Sequence, residues 1–218
     1  MRFCSSCVMP DSKPGVFFDE FGLCNACRTK EVKANVDWDE RFDDLELLVQ
    51  EVKNANHPFY DCIVPVSGGK DSWYQAAMLA EHFGLKVLCV TLAAHLPTTE
   101  GIENLNNMIK DLNVDHMKIT IKPSTFRKIR QKCFLRQGEP NWAEHCAMFS
   151  SVVNTALIYE VPLVVWGEDI AFEFGGLQRN ESAPSALAID KSDLVKEKTV
   201  FDWLDDDVSE RDVFFYKY

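Results

Sequence analysis

The chain has 218 residues, 46% of them apolar, which suffices for a hydrophobic core in one main domain with a small appendage. Its 34 acidic and 23 basic residues give a formal net charge of -11, so it has no general attraction for nucleic acid or an anionic membrane. No run of about 18 apolar residues could cross a bilayer, and the first residues lack the apolar stretch of a secretory signal. We therefore expect a cytoplasmic protein with neither a nucleic-acid nor a membrane partner.

Two cysteine pairs stand within the first thirty residues and predict a metal site. Their spacing is C-x2-C-x16-C-x2-C, formed by Cys4, Cys7, Cys24 and Cys27. At this spacing four thiolates can close around one tetrahedral Zn2+. Four sulfurs leave no open position for a substrate, so the zinc is expected to be structural, with an iron centre as the competing interpretation. We predict a zinc-binding knuckle element at residues 1–30.

The rest of the chain predicts an α/β fold. Apolar residues recur at helical spacing between Asp39 and Val52, which indicates a connecting helix within residues 31–57. Short apolar runs are typical of buried parallel strands, and helical patterns, including one at 124–136, separate them. These runs are at residues 62–66, 87–92, 117–121 and 162–166. The alternation predicts a doubly wound, mostly parallel sheet at residues 58–176, followed by an acidic segment, 177–218, of unknown fold.

A glycine-rich loop stands between the first strand and the next helix, where open α/β sheets bind ligands. Its sequence is Ser67-Gly68-Gly69-Lys70-Asp71-Ser72, called the phosphate loop below. The glycines allow a tight turn that presents backbone N–H groups to phosphate oxygens, and the helix N-terminus adds partial positive charge. An ordinary capped glycine turn is the alternative. The spacing is not G-x-x-x-x-G-K-[ST], so this is not the ordinary nucleotide-binding loop.

The phosphate loop resembles the signature of the pyrophosphate-loop ATPases, which cleave ATP between its α- and β-phosphates. The resemblance covers residues 60–176 and implies an adenine nucleotide α-hydrolase-like fold, an adenylated intermediate and pyrophosphate as leaving group. Ser67, Gly68, Gly69, Asp71 and Ser72 would hold the phosphates. Lys70 would stabilise the departing pyrophosphate, and Lys70, Asp71 and Ser72 are the expected catalytic residues.

Segments along nearly the whole chain resemble one branch, the N-acetyl sugar amidotransferase family of bacterial surface-polysaccharide pathways. These segments are residues 4–11, 22–27, 67–72 and 158–176. The resemblance implies an ATP-dependent, AMP-forming ligase for lipopolysaccharide or other surface glycans. It would convert the acetamido group of a nucleotide-linked N-acetyl sugar to an acetamidino group. Ammonia would come from partner subunits resembling the glutaminase and cyclase of histidine biosynthesis.

Further candidate residues follow the strands. Gly167 and Glu168 come after the last strand and are assigned to the nucleotide site; Glu168 and Asp169 are candidates to bind Mg2+ or orient the amide, or form a solvated turn. Thr91 and Leu92 end the second strand and are expected to contact adenine through backbone groups. His145 is a candidate acid or base, with a hydrogen-bonded helix residue as the alternative. The other histidines, His57, His82, His95 and His116, form no coherent constellation.

Two other functions stay open on the sequence alone. A tRNA-thiolating enzyme also pairs zinc knuckles with this loop, but Cys133 and Cys146 form no C-x-x-C pair and the acidic balance opposes a tRNA substrate. A non-catalytic nucleotide-binding subunit is the second alternative. Cys62 and Cys89 lie in apolar strands, where burial is expected.

Overall fold

The computed structural model describes residues 1–12, 16–93, 96–167 and 200–217. They form two compact units, the first containing Met1–Glu46 and the second containing Leu47–Gly167 with residues 200–217. Across the described ranges, no helix combines the length and the apolar character needed to cross a membrane.

The second unit alternates strands and helices along the chain. The strands are β1 (Cys62–Pro65), β2 (Val87–Leu92), β3 (Asp115–Ile119) and β4 (Leu163–Val164). The helices are α3 (Lys70–Ala77, continued by a π-helical turn at Met78–His82), α4 (Thr99–Leu112), α5 (Pro123–Gln137) and α6 (Trp142–Ile158). The predicted α/β class is confirmed.

The four strands form one parallel sheet in the order β3-β2-β1-β4. In its register Ile63 lies beside Leu88 of β2 and Val164 of β4. The chain moves from β1 outward to β3 and then returns to the opposite side of β1. Because parallel crossovers are right-handed, this reversal places α3 and α4 on one face and α6 on the other.

The core beneath α6 is formed by buried apolar side chains. Ile63, Leu88 and Val90 pack there against Val152 and Ala156 of α6. Side chains alternate along a strand, so the neighbouring cysteines Cys62 and Cys89 face the other side. Both are fully buried, as expected, and burial raises the pKa of each thiol to about 12. These two thiols serve as small apolar side chains.

Local signals set the bounds of α4 and α5. The Thr98 hydroxyl accepts a hydrogen bond from Gly101 N at 3.0 Å, and Asn113 ends α4 in the left-handed conformation. Pro123 stands at the first position of α5, where its missing N–H is harmless, and Gly138 ends that helix with a φ of 73°. These helices therefore begin and end where their own sequences specify.

Residues 200–217 pack on α5 and α6, which the sequence did not predict. Trp203, Val208, Val213 and Tyr216 are buried. The acidic residues of this segment meet the basic side of α5: Lys132 pairs with Asp205, and the Thr125 hydroxyl donates to Asp212 at 2.8 Å. The hydrogen bonds that Asp212 accepts from Ser209 and Thr125 lower the pKa of its carboxyl to about 2. The predicted acidic segment at 177–218 is thus ordered in this part, while residues 177–199 lie outside the described residues.

The first unit is small and organised around cysteines. Two antiparallel bridges, Phe3 with Pro10 and Phe18 with Cys24, form its loops. Helix α1 (Asn25–Ala34) follows. Helix α2 (Trp38–Ala55), whose residues from Leu47 belong to the second unit, begins after Asp37, whose carboxylate accepts hydrogen bonds from the backbone of Asp39 and Glu40 at 3.1 Å. The connecting helix predicted within 31–57 corresponds to the end of α1 and the whole of α2.

Candidate functional site

The candidate site lies at the carboxyl edge of the sheet in the second unit. The reversal of strand order puts the switch point of the sheet between β1 and β4. Open α/β sheets bind ligands in the crevice outside such a point. The phosphate loop directly follows β1 and therefore lies at this crevice.

Gly68 gives the phosphate loop its shape. Its φ is 82°, a left-handed conformation that favours glycine. A Cβ atom here would lie 2.9 Å from both the Gly101 carbonyl oxygen and the Leu105 backbone nitrogen of α4. Glycine is thus required both by the backbone conformation and by the close approach of α4.

The two serines of the phosphate loop bind its own backbone. Ser67 N donates to the Ser72 hydroxyl at 3.4 Å, and that hydroxyl donates to the Gly69 carbonyl oxygen at 3.0 Å. Gly69 N donates to the Ser67 hydroxyl at 3.3 Å. These bonds are internal to the loop and hold the turn closed. The loop is therefore preorganised, so little ordering is needed when an anion binds.

Helix α3 starts inside the phosphate loop, at Lys70. Gly69 precedes it in an extended conformation, and no side chain within the described ranges caps the helix. The first N–H groups of a helix have no partner inside the helix, and the helix dipole makes that end partly positive. The closed turn and this helix end together form a cradle of the kind that binds anions.

Lys70 and Asp71 lie on the solvent side of the cradle. The Lys70 ammonium is 2.6 Å from the Asp71 carboxylate, and the two side chains are 87% and 65% exposed. An ion pair this exposed contributes little to stability. Lys70 can consequently turn toward a bound phosphate at small energetic cost.

The other side of the crevice is formed by the residues that follow β4. The Gln75 side-chain nitrogen, on α3, donates to the Trp166 carbonyl oxygen at 3.0 Å. A Cβ atom at Gly167 would meet the Gln75 amide oxygen at 3.3 Å, so this glycine allows close contact. Gln75 thereby ties the helix of the phosphate loop to the segment after β4. Glu168 and Asp169, the candidates for Mg2+ binding, lie outside the described residues.

Thr91 and Leu92 occupy the last two positions of β2, at the same sheet edge. The Thr91 hydroxyl donates to the Val66 carbonyl oxygen at 2.7 Å, directly before the phosphate loop. Their expected backbone contacts with adenine stay a prediction. The structure adds a role for the Thr91 side chain that the sequence did not suggest.

Three other candidates lie on α5 and α6. Cys133 and Cys146 are buried, and the pKa of Cys146 is raised to about 12, mainly by burial and then by Cys133. A thiol that stays protonated and away from solvent is a poor sulfur carrier. His145 lies in the first turn of α6, where its backbone N–H donates to the Asn141 carbonyl oxygen at 3.0 Å.

The four knuckle cysteines come together in the first unit. Their sulfur atoms all lie within 4.8 Å of one another, with Cys4 and Cys27 at 3.8 Å and Cys7 and Cys24 at 3.5 Å. A tetrahedron of Zn–S bonds of about 2.3 Å has edges of about 3.8 Å. The cluster therefore has the size and donor set that a zinc ion requires.

Hydrogen bonds and sulfur–sulfur contacts shape the thiol chemistry of this cluster. Backbone N–H donors, first that of Cys7, lower the pKa of Cys4 to about 6. The Cys7 sulfur, followed by burial, raises the pKa of Cys27 to about 12. Zinc binds the deprotonated thiolate, so a bound ion would displace the remaining thiol protons and offset the charge of the four sulfurs. The residues thus fit a structural Zn2+, which would supply folding energy to the first unit.

Sequence reasoning missed two residues of the second unit. Gln75 stands four positions after Asp71, so the helical repeat alone would have placed both on one side of α3. His116 lies on β3, and its Nε2 is 3.0 Å from the Thr91 hydroxyl. That contact depends on the register of β2 with β3, and no sequence motif predicts it.

Comparison with known proteins gives partial similarities. No protein-family model matches the chain. An uncharacterized protein of Methanocaldococcus jannaschii is 31% identical over 115 residues, or 52% of this chain. The matched part is 41% of that relative, so the chain spans about two fifths of the relative's length.

Two solved structures are similar in part. The NMN synthetase of Francisella tularensis has a TM-score of 0.44 and 20% identity, over 58% of this chain and 55% of its own. The NH3-dependent NAD synthetase of Campylobacter jejuni has a TM-score of 0.49 and 17% identity, over 62% of this chain and 58% of its own. Each similarity covers less than two thirds of the other protein, so none of them transfers an activity to this chain.

Proposed function

We propose that this chain is an ATP-dependent, AMP-forming amidotransferase. It adenylates the acetamido oxygen of a nucleotide-linked N-acetyl sugar, releases pyrophosphate, and lets ammonia replace AMP to give an acetamidino sugar. The observation that carries the ATP chemistry is the preorganised phosphate loop at the switch point of the sheet, with Gly68 held in a left-handed turn against α4.

The phosphate chemistry follows from the shape of the cradle. The α3 N-terminus and the loop N–H groups bind the phosphate oxygens, and Lys70 offsets the charge that develops on the departing pyrophosphate. Asp71 and Ser72 complete the group: Ser72 keeps the turn closed through Gly69, and Asp71 holds Lys70 before ATP arrives. Cleavage between the α- and β-phosphates is supported by the resemblance of the loop to pyrophosphate-loop ATPases.

The acceptor is supported by the sequence resemblance at residues 4–11, 22–27, 67–72 and 158–176. An amide carbon resists attack by ammonia because its oxygen is a poor leaving group. Attack of that oxygen on the α-phosphate of ATP forms an O-adenylated imidate and expels pyrophosphate. Ammonia then adds to the imidate carbon, and AMP leaves with the former amide oxygen, so the atoms balance. The acetamidino sugar would be built into a lipopolysaccharide or another surface glycan.

Ammonia is proposed to come from separate glutaminase and cyclase-like subunits. A glutaminase nucleophile must be a reactive, accessible thiolate. The cysteines outside the knuckle cluster are all buried: Cys62, Cys89, Cys133 and Cys146. The chain therefore has no cysteine suited to releasing ammonia from glutamine, which favours an external supply. Mg2+ on the phosphates, with Glu168 as a candidate ligand, completes the proposal.

The proposal is tested with purified protein, ATP, Mg2+, ammonium and a panel of nucleotide-linked N-acetyl sugars. We expect AMP and pyrophosphate to appear only with one of these sugars, and the sugar to become lighter by about 1 Da as NH replaces oxygen. Lys70→Ala should reduce this AMP formation at least about 100-fold, while the matched exposed lysine variant Lys110→Ala should leave it unchanged. AMP formation with tRNA and a sulfur donor instead would indicate thiolation, and ADP formation would contradict the adenylation step.

A further inference from the structure

We infer that Thr91 and His116 are positioning residues of the phosphate loop, acting through a chain of hydrogen bonds that orients the peptide group between Val66 and Ser67. The inference deepens the proposed function and rests on it, because the oriented loop is the proposed ATP site. Neither side chain is expected to touch the reacting atoms.

The donors and acceptors in this chain of hydrogen bonds follow from the single proton on the Thr91 hydroxyl. The Thr91 hydroxyl has one proton and donates it to the Val66 carbonyl oxygen at 2.7 Å. Its oxygen can then only accept from His116 Nε2, which lies 3.0 Å away. His116 is therefore the tautomer with its proton on Nε2. Burial, and then Lys118, lower the pKa of His116, which favours a neutral ring.

The peptide group at the start of the phosphate loop is held from both sides. Its carbonyl oxygen, on Val66, accepts from Thr91, and its N–H, on Ser67, donates to the Ser72 hydroxyl at 3.4 Å. The Ser72 hydroxyl in turn donates a hydrogen bond to the Gly69 carbonyl oxygen at 3.0 Å. The bonds thus run from β3 through β2 to the first turn of α3. Rotation of this peptide plane would break the bond from Ser67 to Ser72 and so change the turn that places the other N–H groups of the loop toward the phosphates.

Two features distinguish this chain of hydrogen bonds from the ordinary backbone hydrogen bonds between strands. The side chains of His116 on β3 and Thr91 on β2 form these bonds, which end on the backbone carbonyl of Val66 just after β1 and lie outside the backbone ladder of the sheet. Thr91 is also 9% exposed, so its bond to Val66 is shielded from water. A purely structural role would show in unfolding alone, whereas a positioning role must also show in ATP binding.

Thr91 is tested by measuring the Kd of ATP by calorimetry together with the unfolding midpoint. Thr91→Val keeps the shape but removes the hydroxyl, and should raise the Kd about three- to tenfold, the equivalent of one hydrogen bond. Thr91→Ser keeps the hydroxyl, so the Kd of ATP should stay within about twofold of wild type. The matched control is Thr120→Val, at an exposed threonine just after β3, which should change nothing. A Thr91→Val variant that unfolds more easily yet binds ATP like wild type would overturn the inference.

His116 is tested by a double-mutant cycle with Thr91. His116→Phe removes the donor and should raise the Kd of ATP about threefold, whereas His116→Gln places an amide N–H near the same position and should restore it. In the Thr91→Val background, His116→Phe should have no further effect, because its action passes through the lost hydroxyl. Additive effects of the two substitutions on the Kd would show that His116 acts elsewhere.

Nitrogen NMR of the histidine ring separates this inference from the proposed function. If wild-type protein binds no ATP, the proposed function fails. The 15N shifts of the His116 ring still test whether the chain of hydrogen bonds exists. We expect the 15N shifts of His116 to show the proton on Nε2 in wild type and a change in Thr91→Val. A proton on Nδ1, or a ring unaffected by the loss of the Thr91 hydroxyl, would refute the chain.

Discussion

Replacing Gly68 by alanine tests whether the phosphate loop depends on its close approach to α4. The substitution has two separate costs. At a φ of 82°, alanine is strained by about 1 to 2 kcal/mol relative to glycine. Its Cβ would also lie 2.9 Å from backbone atoms of Gly101 and Leu105, and forcing such a contact in a packed region costs about 1 to 3 kcal/mol.

We therefore expect Gly68→Ala to lower the free energy of unfolding by about 2 to 5 kcal/mol, measured by urea denaturation, and to abolish ATP binding. The backbone of α4 cannot yield as a flexible side chain would, so the loop itself must move. That movement would break the hydrogen bonds of Ser67 and Ser72. The loss of ATP binding is thus expected to accompany the loss of stability.

Two glycines of the same unit serve as controls. Gly84 has a φ of 64° but no atom within 4 Å of a Cβ, so Gly84→Ala isolates the backbone strain. In Gly69 the φ is -79° and the nearest atom is the Ser67 hydroxyl, so Gly69→Ala should cost less than about 1 kcal/mol. Equal destabilisation by Gly68→Ala and Gly84→Ala would refute the argument that close approach to α4 matters.

Three further predictions concern charge and metal. Lys70→Ala should reduce AMP formation at least about 100-fold while the free energy of unfolding changes by less than about 0.5 kcal/mol, since its side chain is 87% exposed. Cys7→Ser should lose the one zinc per chain that metal analysis is expected to find, and circular dichroism should show unfolding of the first unit; Cys62→Ala, outside the cluster, should retain the metal. Because the pKa of Asp212 falls to about 2 in the folded chain, its contribution to stability is complete above its ordinary pKa of 3.8 and is lost as the pH falls toward 2. Urea unfolding between pH 6 and pH 2.5 should show this loss, and Thr125→Val should reduce it; an unchanged pH profile would contradict the assigned bond.

Much of the sheet could be predicted because its central strands are continuous apolar runs. β1 and β2 are buried on both faces, so their sequences carry the signal directly. β3 lies at the edge of the sheet and is exposed at Asp115 and Lys118, which is why its apolar run suggested 117–121 and not Asp115–Ile119. Edge strands carry weaker patterns than central ones.

The order of residues 200–217 could not be predicted from their own sequence. Trp203 and Tyr216 are buried only because α5 and α6 lie beneath them. The bond from Thr125 to Asp212 joins residues 87 positions apart. A local pattern contains no information about such a partner, so an acidic segment with little periodicity was indistinguishable from a solvated tail.

The residues of the candidate site also fall into those that the sequence predicts and those that it does not. The phosphate loop could be predicted because its glycines, serines and lysine form one contiguous motif. The motif follows a strand, which is where open α/β sheets bind ligands. Gln75 contacts the segment after β4 and His116 contacts β2, and both contacts exist only once the sheet is assembled. Their residue types are common in surface helices and strands, so no spacing in the sequence marks them.

An 18O label shows whether the acetamido oxygen is transferred to AMP during the reaction. A nucleotide-linked N-acetyl sugar labelled with 18O in its acetamido group would be incubated with the protein, ATP, Mg2+ and ammonium, and the AMP analysed by mass spectrometry. Adenylation of that oxygen predicts that each AMP formed carries the label in its phosphate while the pyrophosphate carries none. Unlabelled AMP, or ADP and phosphate in place of AMP and pyrophosphate, would contradict the account.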